Sequence, residues 1–354
     1  MAGFQGILGH KKEIAHLERA IRSGKVSHAY ILNGEKGTGK SVLAKAFAQT
    51  LQCENVKMPE LIAGGTEEKL LPEEQAGLDV EACGKCHSCR QAESGNHPDI
   101  IYVRHEKPSS IGVDDVREQL IGDAQIRPYN GKYKIYIIAD AEKMTPQAQN
   151  AILKTIEEPP DYVIILLLTA NDRALLDTIR SRCVTLNLKP VPDEVVKEYL
   201  MEKIQIPDYQ ADICAAFAQG NIGKAERLAS SDDFNAIKAS AMRLVRNAGD
   251  MEISAIIDYV KEVQEYKISI QDYLDILALW YRDMVYYKAT RDIDGLIFKD
   301  ELRTIRETVR RCSYEGAEEV MKAIETAKTR LNANVNFDLT MELLFLVIKE
   351  NIHG

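Results

Sequence analysis

The sequence predicts an α/β domain followed by all-α structure. Five apolar runs of strand length alternate with helical patterns between residues 28 and 188. From about residue 234 to the end, the chain shows helical patterns and no credible strand. Alternating strands and helices are typical of a doubly wound sheet, whereas the later helices have to pack on one another.

The five predicted strands are apolar on both faces, which favours buried parallel strands over a half-exposed antiparallel sheet. They cover residues 28–33, 99–103, 134–139, 162–169 and 184–188. The best-defined helix between them should start at Thr145 and Pro146, because a hydroxyl cap followed by proline is a common helix start. That helix should end before Pro159 and Pro160.

After Lys189 the sequence pattern changes from alternating strands and helices to helices alone. Three short helical patterns follow, over residues 191–204, 210–218 and 222–230. We therefore expect three domains, at residues 1–189, 190–233 and 234–354. Residues 54–82 fit none of these patterns, since they hold eight acidic and two basic residues. We interpret them as a solvated insertion in the first domain.

The composition is that of a globular protein of 354 residues, with 45% apolar and 28% charged residues. The longest apolar run, residues 162–170, is too short to span a membrane, so no membrane contact is expected. The first residues lack the apolar core of an export signal, which predicts a cytoplasmic location. A net charge of −9 argues against a protein that wraps DNA by itself.

A phosphate-loop motif follows the first predicted strand. Gly34, Gly39, Lys40 and Ser41 satisfy G-x-x-x-x-G-K-[ST], and a predicted helix comes directly after them. The glycines let backbone N–H groups surround phosphate oxygens, the lysine reaches the outer phosphates, and Ser41 can bind Mg²⁺. We expect ATP and Mg²⁺ at this loop, with Gly37 and Val42 completing the site.

The acidic residues that normally activate water are incomplete. ATP-hydrolysing phosphate-loop proteins usually end a later strand with one acidic residue for Mg²⁺ and a second for the attacking water. Here the strand runs into Ala139, Asp140, Ala141 and Glu142. Asp140 can serve near the metal, and the direction of Glu142 is open. We interpret this as weakened or lost hydrolysis; the alternative is an ordinary strand end.

Three cysteines lie within seven residues, at Cys83, Cys86 and Cys89. Thiolates at this spacing can converge on one tetrahedral Zn²⁺, which takes four such ligands in a structural site. Cys53 is our choice for the fourth ligand, with His87 and His97 as alternatives. Free thiols or an iron–sulfur cluster are the competing interpretations.

The order of motifs resembles one family. The phosphate loop and the cysteines are followed by "HPDI" (97–100), "GVDDVRE" (112–118), "NAILKTIEEPP" (150–160) and "IRSRC" (179–183). Along the whole chain, this order is similar to that of delta-prime subunits of the bacterial DNA polymerase III clamp loader, which are AAA+ proteins. Near the end, residues 331–348 resemble the last helices of clamp-loader collar domains.

The resemblance implies a place in an assembly. Loader subunits form a five-membered ring joined by their C-terminal collars, with gamma/tau-type ATPases and a delta subunit as the other members. The ring opens a sliding clamp and places it on primed DNA in the bacterial replisome. The three expected domains then become an AAA+ domain, a helical lid and a collar. DNA polymerase activity belongs to the holoenzyme, since this chain shows no polymerase-type carboxylates.

Site residues also carry over from the family. Arg182 of the "SRC" motif corresponds to the arginine finger that reaches ATP bound by the neighbouring subunit, and Ser181 and Cys183 would help set its loop geometry. The segment "GNIGKAE" (220–226) corresponds to the second-sensor segment of the family, and its Lys224 stands where motor subunits usually have arginine. Thr169 or Asn171 marks the first sensor.

Several functions remain possible at this point. The first is a scaffold subunit that binds ATP, hydrolyses it poorly and donates Arg182. The second is an ATP-hydrolysing motor, either the gamma/tau-type subunit or another AAA+ protein. A small-molecule kinase explains neither the cysteines nor the long helical C-terminus. The pair Ala139–Asp140 and the lysine at position 224 favour the scaffold.

Overall fold

The computed structural model describes residues 3–57, 80–105, 107, 110–230, 232–333 and 335–352. The chain forms two compact units. The first contains residues 1–195 and 220–223, and the second contains residues 196–219 and 224–354. The division into three domains at residues 189 and 233 stays a prediction.

The first unit is built on a five-stranded parallel sheet, in agreement with the predicted fold class. The strands run in the order β2-β3-β4-β1-β5. They are β1 (Ala29–Asn33), β2 (Ile100–Val103), β3 (Lys134–Ile138), β4 (Val163–Thr169) and β5 (Val184–Asn187). The strands β3 and β4 are buried along their whole length, which explains their largely apolar sequence.

Helices cover both faces of this sheet. They are α1 (Lys11–Ser23), α2 (Lys40–Gln52), α3 (His87–Glu93), α4 (Val113–Val116), α5 (Pro146–Glu157) and α6 (Asp177–Arg180). Helix α7 (Asp193–Tyr199) begins in the first unit and has its last four residues in the second. Alternate residues of β1 enter different cores: Leu32 packs with Phe47 of α2, and Ile31 packs with Ile152 of α5. This alternation follows from the period of two along a strand.

The predicted start of α5 is confirmed. The Thr145 side chain accepts a hydrogen bond from the N–H of Ala148 at 3.2 Å, and Pro146 occupies the first helical position. The helix ends at Glu157, before the two prolines. Its position matters because Glu157 lies at the surface near the predicted arginine finger.

The second unit is built of helices, and none of its described residues lies in a strand. Its helices are α8 (Asp208–Ala218), α9 (Ile222–Ser230, whose first two residues belong to the first unit), α10 (Asp232–Asn247), α11 (Ile253–Gln264), α12 (Ile270–Thr290), α13 (Leu302–Arg311), α14 (Tyr314–Asn332) and α15 (Phe337–Ile352). Helix α12 packs against α10, α13 and α14, and it buries Tyr273, Trp280 and Tyr281. Within the part of the chain that the structure describes, no helix combines the length and apolar character needed to span a bilayer.

Most of the predicted acidic insertion, residues 58–79, lies outside the described residues. Its two ends are described and lie side by side. Lys57 and Glu81 form an antiparallel bridge, with N–H to carbonyl distances of 2.9 and 3.0 Å. The Glu81 carboxylate also accepts the N–H groups of Phe4 and Gln5, which ties the end of this segment to the N-terminus.

Candidate nucleotide pocket and cysteine cluster

The phosphate loop connects β1 to α2, as predicted. Gly37 and Gly39 have φ angles of 94° and 93°, in the region that favours glycine. Gly34 has no such angle, but a Cβ there would lie 2.9 Å from the carbonyl oxygen of Leu188. Gly37 and Gly39 are therefore required by the backbone conformation of the loop, and Gly34 by the close approach of Leu188.

Lys40 is folded against the phosphate loop. Its ammonium donates hydrogen bonds to the carbonyl oxygens of Gly34 and Glu35, the second at 2.7 Å. Burial lowers the pKa of this ammonium, while Glu142, Asp140 and Glu35 act in the opposite direction. A phosphate would offer Lys40 negatively charged oxygens in place of these neutral carbonyls.

A pocket of about 450 Å³ opens beside this loop. Its volume falls in the range of small-molecule sites, roughly 300–1,000 Å³. Six of the eight predicted nucleotide-binding residues line it: Gly37, Gly39, Lys40, Ser41, Val42 and Asp140. The remaining lining residues are Lys36, Ala139, Glu142, Lys143, Leu168, Ala170 and Gly223. The pocket thus combines backbone N–H groups, lysines and two carboxylates.

The two carboxylates come from the turn after β3. Asp140 adopts a left-handed conformation (φ 50°) and pairs with Lys143 at 2.9 Å. The hydrogen bond from Lys143 lowers the pKa of the Asp140 carboxyl. Glu142 turns back toward β4, where its carboxylate accepts the N–H of Ala170 at 3.2 Å. Ala139, at the strand end, contributes no acid.

The pocket contains Glu142, whose direction the sequence left open. The left-handed backbone at Asp140 starts the short turn Ala141–Lys143, which returns the glutamate to the sheet. Asp tolerates this conformation better than most residues, and that tolerance is the one signal present in the sequence. The presence of an aspartate does not by itself specify a left-handed turn.

The two candidates for the first sensor serve local structure. The Thr169 hydroxyl accepts the N–H of Asn171 at 3.1 Å, and the Asn171 side chain accepts the N–H of Arg173 at 3.2 Å. The Thr169 carbonyl also accepts the N–H of Gly34 at 3.1 Å, which ties the end of β4 to the phosphate loop.

The second-sensor segment contributes Gly223 to the pocket. Lys224 belongs to the second unit, where its ammonium pairs with Asp275 at 2.6 Å. Its role toward nucleotide stays a prediction. Asn221, which the sequence did not single out, donates a hydrogen bond to the carbonyl of Lys36 at 2.7 Å.

The four cysteines of the predicted metal site lie together. The sulfur atoms of Cys53, Cys83, Cys86 and Cys89 are all within 4.8 Å of one another. The Cys83 and Cys89 sulfurs are 4.0 Å apart, close to the roughly 3.8 Å expected between two thiolates on one zinc. The donor set and its spacing therefore fit a tetrahedral metal ion.

Backbone N–H groups point at these sulfurs. The N–H of Cys83 donates to Cys53 Sγ at 3.2 Å, and the N–H of Cys89 donates to Cys86 Sγ at 3.3 Å. N–H groups of Lys85 and Cys86 lower the pKa of Cys83 to about 6. Burial raises the pKa values of Cys53 and Cys89. A dication would offset this burial cost, because it stabilises the thiolate form.

The alternative histidine ligands are not part of this group. His97 Nδ1 accepts the N–H of Asp99 at 3.1 Å, and its Nε2 lies 2.9 Å from the Ser88 hydroxyl. Both ring nitrogens are thus engaged in hydrogen bonds. The position of Cys53, directly after the last residue of α2, brings it to the other three cysteines.

Arg182 lies at the surface, two residues after α6. Its Nε lies 3.0 Å from a carboxylate oxygen of Glu157, and its Nη1 donates to the Thr178 carbonyl at 3.0 Å and to Ser181 Oγ at 3.2 Å. The side chain is 42% exposed, which leaves the guanidinium accessible. Burial raises the pKa of the adjacent Cys183 to about 12, which favours the neutral thiol.

Comparison with known proteins places this fold and pocket in a family. The family model described as "DNA polymerase III, delta subunit" matches residues 9–192, more than half of the chain. The chain belongs to this family. The matched residues include the phosphate loop, the four cysteines and Arg182.

Relatives of the family support the resemblance seen in the sequence. DNA polymerase III subunit delta′ of Bacillus subtilis (strain 168) is 29% identical over 342 residues, which cover 94% of each chain. Subunit tau/gamma of Haemophilus influenzae is 31% identical over 224 residues, or 62% of this chain and 29% of that protein. The predicted similarity to delta-prime subunits is confirmed.

A solved structure from Thermotoga maritima, described as a DNA polymerase III gamma subunit-related protein, covers 95% of this chain and 99% of its own. Its identity is 19% and its TM-score 0.49.

Proposed function

We propose that this chain is a delta-prime-type subunit of a DNA polymerase III clamp loader. The carrying observation is the match to a delta′ subunit over 94% of both chains. In this proposal its partners are gamma/tau-type ATPases and a delta subunit in a hetero-pentamer. The assembly contacts the sliding clamp and primer–template DNA.

The pocket supports nucleotide binding with weak hydrolysis. In this proposal Gly37, Gly39, Lys40 and Ser41, which line the pocket, hold the phosphates and Mg²⁺. Weak hydrolysis is inferred from Ala139, which gives the end of β3 no carboxylate. The Asp140 carboxylate is engaged by Lys143.

One observation favours the motor subunit as a second candidate. Glu142 lines the pocket beside Ala170, and a carboxylate there could orient an attacking water. The two candidates predict different rates of ATP hydrolysis by the isolated chain. A motor subunit would hydrolyse ATP in a reaction that depends on Glu142, whereas a scaffold subunit would hydrolyse little or none.

The cysteine cluster is proposed to hold one structural zinc ion. Cys53, Cys83, Cys86 and Cys89 supply four sulfurs, and a site with four protein ligands leaves no open position for catalysis. The ion would join the end of α2 to the segment that begins after the bridge between Lys57 and Glu81.

Lys40→Ala is expected to weaken ATP binding by the isolated chain at least tenfold, because it removes a charged contact to phosphate. Isothermal titration calorimetry measures the affinity, and a phosphate-release assay measures turnover. We expect the unmodified chain to bind ATP with negligible turnover. Lys45→Ala is the matched control, since Lys45 is an exposed lysine of the same helix.

A turnover rate typical of a motor, lost in both Lys40→Ala and Glu142→Gln, would overturn the scaffold proposal in favour of the motor. Absence of ATP binding by the unmodified chain would remove the nucleotide part of the proposal. Failure to assemble with gamma/tau and delta subunits, measured by size-exclusion chromatography with light scattering, would remove the clamp-loader part.

A further inference from the structure

Residues 220–223 form a second layer of contacts behind the phosphate loop. Asn221 Nδ2 donates to the carbonyl of Lys36 at 2.7 Å, and the N–H of Gly223 donates to the carbonyl of Gly37 at 3.0 Å. One short segment therefore holds two consecutive carbonyls of the loop. Asn221 and Lys36 are 185 residues apart in the sequence.

The approach of the two segments is close enough to require glycine. A Cβ on Gly223 would lie 3.0 Å from both the Cα and the carbonyl oxygen of Gly37. A Cβ on Gly37 would overlap the side-chain oxygen of Asn221. The segment is anchored on its other side, where the N–H of Val191 donates to the carbonyl of Gly220 at 2.9 Å.

These bonds fix the direction of a peptide group. In a trans peptide the C=O and the following N–H point to opposite sides, and the described chain contains no cis peptide. Holding the Lys36 carbonyl on Asn221 therefore directs the N–H of Gly37 away from Asn221. Gly37 lines the pocket, where such an N–H group can contact phosphate.

Without the bond to Asn221, the peptide group between Lys36 and Gly37 could rotate, because glycine accepts both orientations at little cost. The rotated peptide would present the Lys36 carbonyl to the phosphates in place of an N–H group, which is electrostatically unfavourable. We propose that Asn221 and Gly223 are positioning residues that keep the phosphate loop in its anion-binding orientation. The inference rests on the proposed binding of nucleotide.

Asn221 contacts the backbone of the phosphate loop, so its loss should affect binding of the polyphosphate part of the ligand. Loss of the Asn221 bond should weaken binding of ATP and of inorganic triphosphate by a similar factor. Binding of adenosine, which has no phosphate, should not change. A general loss of folded structure would instead lower all three affinities together.

Asn221→Ala is expected to lower the affinity for ATP and for inorganic triphosphate roughly three- to tenfold, the range for one lost hydrogen bond. Calorimetric titration with ATP, inorganic triphosphate and adenosine measures the effect on the full chain. Gly223→Ala, which places a methyl group against Gly37, should give an equal or larger loss. Asn130→Ala, at an exposed asparagine of the same unit, is the matched control.

Thermal unfolding without ligand separates positioning from stability. We expect the Asn221→Ala chain to unfold at nearly the same temperature as the unmodified chain, with a smaller ATP-induced increase. Unchanged triphosphate affinity in both variants, or an equal loss for adenosine, would overturn the inference while nucleotide binding stands. If the unmodified chain binds no ATP, the proposed function and this inference fail together.

Discussion

Replacing Arg182 with alanine is expected to lower ATP hydrolysis at the neighbouring subunit's site about 10³-fold in the reconstituted loader. An arginine finger stabilises charge that develops on the transferred phosphoryl group, and its removal typically costs 10³ or more in kcat. Assembly should be unaffected, because the exposed Arg182 has Glu157 as its acidic partner at the surface of its own chain. Steady-state phosphate release and size-exclusion chromatography measure the two properties.

Two further variants test the assignment of Arg182. Arg182→Lys keeps the charge but not the planar, forked guanidinium, so it should restore little of the rate. Arg173→Ala removes an exposed arginine of the same region and should leave the rate unchanged. An unaltered rate in Arg182→Ala would assign this arginine to the surface pair with Glu157 alone.

Replacing Cys89 with serine is expected to abolish stoichiometric zinc binding and to destabilise the first unit by roughly 4 kcal/mol or more. Cys89 is fully buried among the other three cysteines, and a serine hydroxyl is a poor zinc ligand. Metal analysis by mass spectrometry should give one zinc per unmodified chain. Denaturant unfolding measures the change in stability.

The control for this experiment is Cys183→Ser, which alters a thiol of the same unit outside the cluster. It should retain one zinc. Visible absorbance and iron in the unmodified chain would identify an iron–sulfur cluster instead. Full zinc retention by both Cys89→Ser and Cys53→Ser would contradict the four-cysteine site.

The sheet and the phosphate loop were predictable because their signals are local. Two-sided apolar runs identify buried parallel strands, and the motif at Gly34–Ser41 depends on its own spacing. The cap at Thr145 is equally local, since the hydroxyl bonds an N–H three residues away. Each of these features can be derived from a window of about ten residues.

The support behind the loop was not predictable, because it depends on tertiary contacts. Asn221 and Gly223 contact residues far away in the sequence, and neither fits a periodic pattern. The choice of Cys53 over a histidine likewise depends on where α2 ends relative to the other cysteines. The return of Glu142 to the pocket depends on one left-handed residue, Asp140.

Helix α2 connects the two candidate sites of the first unit. It begins at Lys40 in the phosphate loop and ends one residue before Cys53, a length of 13 residues or about 20 Å. Its positive dipole end faces the pocket and favours an anion, whereas its negative end lies against sulfur ligands that metal binding would deprotonate. At the first end the helix dipole would stabilise a bound phosphate. At the second end a metal cation would offset part of the charge of the thiolates that lie beside the negative end of the dipole. The electrostatic balance of this single helix would then depend on both ligands.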